Sequence, residues 1–101
     1  MPVDILERTR KMLEDAPLEG ENIDKKIRNL LKSEYLRKLA QYRRTDMQLT
    51  KKYNMSYRDF VERGIVESKD YSWDVESDAI SWETSISGMK TMERRLSELQ
   101  E

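Results

Sequence analysis

The chain has 101 residues, with nineteen bases against twenty acids and a net charge of −1. It contains no cysteine and no histidine, which excludes disulfides, thiolate nucleophiles, Cys/His zinc sites and histidine general bases. With 37% hydrophobic and 39% charged residues, it promises one domain with a thin core, and its near neutrality argues against a body that is all nucleic-acid footprint.

The first segment, Val3 to Glu14, carries Ile5, Leu6, Met12 and Leu13 at helical spacing. Pro17 and Gly20 end it. Residues 1–21 therefore read as a docking helix and a linker, ahead of a helical core over 22–66. Asn22 is the expected N-cap of a second helix ending near Arg43. Its apolar side is Ile23, Ile27, Leu30, Leu31, Tyr35, Leu39 and Tyr42, and its other side is basic. Such a face is usually just solvated, although it could also meet an acidic partner or RNA.

Thr45-Asp46-Met47-Gln48 has the Thr-x-x-Gln form of a capping box and should start a new short helix carrying Met47, Leu49 and Tyr53. After a turn at Asn54-Met55-Ser56, Ser56 should cap another short helix with Tyr57, Phe60 and Val61, stopped at Gly64. This pair over 46–64 has the outline of a helix-turn-helix, with Arg58 and Arg63 as its candidate nucleic-acid contacts. Asp59 and Glu62 would repel phosphate, so a compact hairpin with its aromatics under the long helices is the stronger expectation. Glu67 to Tyr71 reads as a loop.

The last third, 72–101, reads as one long amphipathic helix. Val75, Ala79, Trp82, Ile86, Met89, Met92, Leu96 and Leu99 recur in steps of three and four. Ser72 is the expected N-cap, with Asp74, Glu76 and Asp78 near the positive end of the helix dipole. At ~1.5 Å per residue the helix would run roughly 40 Å, beyond a compact domain with a radius of gyration of about 13 Å. The apolar stripe should therefore overhang the core and be covered by a second copy or another protein. Gly88 sits amid Thr84, Ser85 and Ser87, and the unbroken stripe favours close packing there over a helix break. Asp74 and Asp78 stand one turn apart and could share a cation, which would make the chain a divalent-metal phosphohydrolase. Acids at a helix start need no such role.

Three segments together are similar to a family of small prokaryotic proteins common in archaea and cyanobacteria. They are Leu31-Lys32-Ser33-Glu34-Tyr35, Lys52-Tyr53-Asn54-Met55-Ser56-Tyr57-Arg58-Asp59-Phe60, and the run from Tyr71-Ser72-Trp73-Asp74-Val75-Glu76-Ser77-Asp78-Ala79 through Ile80-Ser81-Trp82-Glu83. The similarity spans about residues 25–100, and the Tyr-Ser-Trp-x-Val-Glu-Ser-Asp block is its most specific part. The resemblance implies the antitoxin half of a two-gene toxin–antitoxin operon and brings no catalytic motif.

The expectation is thus an all-α, single-domain protein: two long amphipathic helices with a short helical hairpin between them, paired as a helical dimer. It would be a non-enzymatic, cytoplasmic protein without cofactor or metal, spanning no membrane, with itself and a second protein, a toxin, as partners. Tyr71, Trp73, Trp82, Ile86, Met89, Met92, Leu96 and Leu99 are the expected partner-binding residues. Core packing competes with that role for both tryptophans, and is favoured for Trp82. A nucleic-acid-binding regulator and a metal-dependent phosphohydrolase are the alternatives.

Overall fold

The computed structural model describes residues 4–100. Five helices follow one another: α1 (Glu7–Asp15), α2 (Ile23–Tyr53), α3 (Tyr57–Glu62), α4 (Ile65–Ser68) and α5 (Trp73–Leu99). No strand occurs among the described residues, so the all-α expectation holds.

The two long helices run antiparallel, and their seam explains both lengths. In α2 the inward residues are Tyr35, Leu39, Tyr42, Asp46, Leu49 and Tyr53; in α5 they are Trp82, Ser85, Met89, Met92, Leu96 and Leu99. Both sets alternate steps of four and three, the 3.5-residue repeat of helices that pack side by side over a long distance. The register is pinned at several levels. Tyr53 and Lys52 meet Asp78, Asp46 meets Trp82, Tyr42 lies over Gly88, and the Arg95 guanidinium sits 5.9 Å from the Tyr35 ring centre. At the far end Arg28 donates to the Leu99 carbonyl at 3.1 Å.

α2 does not stop at Arg43, and no helix begins at the expected capping box. The Thr45 hydroxyl donates back to the Gln41 carbonyl at 3.4 Å, inside a continuous helix. Asp46 turns across the seam, where it accepts from the Trp82 indole N–H at 2.8 Å. A polar residue in a seam position interrupts the apolar period without interrupting the helix. The real end is Asn54, left-handed at φ 53°, with Lys51 and Lys52 in the last turn. At the other end Asn22 caps as expected, its Oδ1 accepting from the Lys25 amide at 2.9 Å.

Ser56 also caps as expected, accepting from the Asp59 amide. Gly64, at φ 60°, ends α3 and leads into the single turn of α4, where the second half of the segment had read as loop. Ser72 occupies the N-cap position of α5, but its side chain makes no capping bond. α5 passes through Gly88 unbroken. A Cβ there would lie 2.4 Å from the Tyr42 ring, so close packing is what Gly88 provides, with an aromatic ring as the neighbour in place of a second backbone.

The core sits at the end where α3 and α4 bridge the long helices. Leu49, Phe60, Val75 and Trp82 are buried together, ringed by Tyr53, Tyr57, Ile65, Val66 and Ile86. Trp82 is fully buried, with Phe60, Tyr57 and Tyr53 ring centres 5.1, 5.5 and 5.9 Å away. Such aromatic neighbours add about 0.5–1.5 kcal/mol per pair beyond area burial. α1 buries nothing fully and is held by polar contacts. The Lys26 ammonium reaches the Leu13, Glu14 and Ala16 carbonyls at the end of α1, and the Asn29 amide donates to the Glu19 carbonyl at 2.6 Å.

The result is a rod of 57 × 27 × 23 Å with a radius of gyration of 19.4 Å, against about 13 Å for a compact chain of this length. The overhang expected of α5 is therefore absent. α2 is longer still and lies against α5 from Asp78 to Leu99, while α4 packs beside its first turns.

Candidate functional site

The α4–α5 turn displays two large aromatic side chains at one end of the rod. Asp70 and Tyr71 are both left-handed, each at φ 54°. Asparagine, aspartate and glycine enter that region readily, but a tyrosine there costs about 1–3 kcal/mol. The surrounding backbone holds the conformation. The Asp70 amide donates to the Glu67 carbonyl at 3.1 Å, Tyr71 to Val66 at 3.0 Å, and Ser72 to Lys69 at 3.2 Å. Every amide of the turn is thus engaged, while the side chains point outward: Tyr71 is 59% exposed and Trp73 77%.

Directly behind this tip lies a polar clamp. Asp78 accepts from the Lys52 ammonium and from the Tyr53 hydroxyl, each at 2.6 Å. Burial opposes charge on Asp78, but the two donors outweigh it and hold its carboxyl below the usual range. The same site pushes the Tyr53 phenol up to about 12, through burial first and the Asp78 carboxylate second. The clamp locks the first turns of α5 to the last turn of α2, so Trp73 projects from a fixed base.

No family model, curated protein or solved structure matches the chain.

The structure divides the residues expected to bind a partner. Tyr71 and Trp73 stand free at the tip. Trp82 and Met92 are buried inside the chain and present no surface to a partner, which corrects their inclusion. Ile86, Met89, Leu96 and Leu99 are half-buried. The apolar stripe of α5 lies against α2, so its periodicity reported an internal seam.

The other candidates are also placed. Arg58 is exposed and pairs along α3 with Glu62, Nε to Oε1 at 3.1 Å, and Arg63 follows the last residue of α3. The outlined helix-turn-helix is in fact the end of a 31-residue helix followed by a helix of six. Asp78 is engaged by Lys52 and Tyr53, and no cluster of three or more metal-ligating side chains occurs among the described residues. An open cleft of about 650 Å³ lies between α2, α3 and α5, with Thr50, Tyr57, Val61 and Ile86 beside Asp46 and Lys90. One Asp46 oxygen there already serves Trp82. No described helix is long and apolar enough to cross a membrane.

Sequence reasoning missed two features. The paired left-handed residues at Asp70 and Tyr71 carry no glycine signal. Asp46, read as part of a cap, is a half-buried acceptor whose donor lies 36 residues away.

Proposed function

We propose that this chain acts without catalysis, by binding another protein at its Tyr71–Trp73 tip, and that it is the neutralising member of a toxin–antitoxin pair. One observation carries the binding role: two exposed aromatic side chains, Tyr71 on a turn where the Asp70, Tyr71 and Ser72 amides are hydrogen-bonded and Trp73 at the start of α5. Aromatic anchors fixed before binding lose little freedom on complex formation, and such residues often dominate an interface. The backbone strain at Tyr71 supports the same reading, because a tyrosine is an unfavourable choice there for stability alone. Glu67, Asp70, Asp74 and Glu76 flank the tip in sequence, against Lys69 and the nearby Lys52, and this excess of acids suits a partner with cationic side chains over the aromatic faces. The toxin as partner rests on the resemblance of the Tyr71–Glu83 segment to antitoxin-like proteins.

Co-expression with the product of the adjacent gene, followed by size-exclusion chromatography with mass measurement, tests this. A complex is expected with the native chain, and its loss in Tyr71→Ala/Trp73→Ala while helical circular dichroism is unchanged. A complex that survives the double substitution would move the interface elsewhere.

A further inference from the structure

The open cleft between α2, α3 and α5, at about 650 Å³, is of a size that takes a small molecule, for which ~300–1,000 Å³ is usual. Tyr57, Val61 and Ile86 give it an apolar lining, and Val61 stands 56% exposed. Four charged residues also line it, and they are not alike. Arg58 and Glu62 neutralise each other along α3 at 3.1 Å. Asp46 and Lys90 enter no ion pair among the described residues, either with each other or with a third group. An acid and a base thus share one cleft without meeting.

Their neighbours explain why both are left over. Arg43 lies one turn before Asp46 on α2, and Glu93 one turn after Lys90 on α5. Instead of neutralising Asp46 and Lys90, these two approach each other across the seam at 3.7 Å. One Asp46 oxygen accepts from the Trp82 indole, and the other is uncommitted among the described residues. Asp46 is half-buried, so its charge is screened less than at the open surface, and an opposite charge placed beside it gains more. A purely cationic ligand would leave Lys90 unserved. A purely anionic one would meet the Asp46 carboxylate. A zwitterion on an apolar body satisfies both ends of the cleft and its walls.

We propose that this cleft binds a free α-amino acid with a large apolar side chain. Its ammonium donates to the uncommitted Asp46 oxygen, its carboxylate accepts from the Lys90 ammonium, and its side chain lies against Val61 and Ile86. The aromatic tip plays no part in this site, so either can fail without the other.

L-Phenylalanine is the probe. Phenethylamine, which lacks its carboxylate, and 3-phenylpropionate, which lacks its ammonium, are the controls. Titrated into the full chain and followed by methyl NMR, L-phenylalanine should shift Val61 and Ile86 to saturation and leave Ile27, at the opposite end of α2, in place. Each control should bind about tenfold more weakly, the loss of one hydrogen bond to a charged group. Lys90→Gln should weaken L-phenylalanine by about the same factor and leave phenethylamine unchanged. Asp46→Asn, which keeps an acceptor for Trp82, should weaken L-phenylalanine and phenethylamine but not 3-phenylpropionate. Lys90 is exposed, so Lys90→Gln decides the matter even if Asp46→Asn fails to fold. No saturable shift at Val61 and Ile86, equal binding of the three compounds, or undiminished L-phenylalanine binding in Lys90→Gln would each overturn the proposal. So would a two-copy mass in sedimentation equilibrium that falls to one copy with Val61→Glu, which would give the cleft to a second chain.

Discussion

Asp46 accepts a hydrogen bond from the Trp82 indole at 2.8 Å in the middle of the antiparallel seam, where Trp82 is fully buried. Removing the acceptor leaves a buried N–H unpaired. Asp46→Ala should therefore destabilise by ~1–3 kcal/mol, even though alanine is the better helix former. Asp46→Asn keeps an acceptor oxygen and should lose less. Urea unfolding followed by tryptophan fluorescence ranks the three proteins. Equal stability of native and Asp46→Ala chains would show that the bond is not needed.

Gly88 offers a test with a change of sign. In the native chain a methyl at that position would meet the Tyr42 ring, and Gly88→Ala should destabilise through overpacking, at ~1–3 kcal/mol before the helix gain is counted. With Tyr42→Ala the obstruction is gone. The same Gly88→Ala change should then stabilise by about 1 kcal/mol, the intrinsic advantage of alanine over glycine. Thermal unfolding of the four proteins closes the cycle. Identical effects of Gly88→Ala in both backgrounds would mean the ring moves aside without cost.

The clamp at Asp78 makes stability depend on pH at both extremes. Folding raises the Tyr53 phenol from 10.0 to about 12, chiefly by burial and then by the Asp78 carboxylate. The folded chain holds that proton more tightly than the unfolded chain. Its stabilisation is full below pH 10 and drains as pH rises through about 12. Lys52, raised mainly by its bond to Asp78, titrates in the same sense. Asp78 is the mirror case. Its lowered carboxyl gives stability that is present above its ordinary value of 3.8 and is lost as pH falls through the folded value. Tyr53→Phe should flatten the alkaline limb of stability against pH, and Asp78→Asn the acid limb. Urea midpoints across the pH range measure both. An unchanged alkaline limb in Tyr53→Phe would assign it to other groups.

Lys26 holds the end of α1 through three backbone carbonyls, and α1 has no buried residue to hold it otherwise. Lys26→Met should loosen α1 and the segment after it, while the melting of the long helices stays within a few degrees of native. Limited proteolysis should then cut faster between Asp15 and Asn22. An unchanged cutting rate would show that α1 is retained by its other contacts.

How much of this was legible depends on distance along the chain. Asn22, Ser56 and Gly64 act within one helical turn, and each does what its residue type implies. The periodicity of α5 was plain, but a stripe says only that something covers it; that α2 is the cover depends on α2 being at least as long. Its true length was hidden at Asp46, where a polar residue and a nearby capping pattern imitate a helix start. The partner that makes Asp46 a seam residue is Trp82, and no local window contains both. Trp73 could be singled out but not placed. Its exposure follows from the left-handed turn at Asp70 and Tyr71, which hydrogen bonds to Glu67 and Val66 impose from outside the two residues themselves.

The antiparallel register has a consequence for how the chain assembles. Bringing Tyr53 to Asp78 closes a separation of 25 residues, whereas bringing Arg28 to Leu99 closes one of 71. The aromatic cluster also lies at the short-separation end. Pairing should therefore start beside the bridging helices and zip towards the two termini, each turn shortening the loop that the next must close. The reverse order applies to opening, with the Arg28–Leu99 end fraying first and amide protons there exchanging soonest.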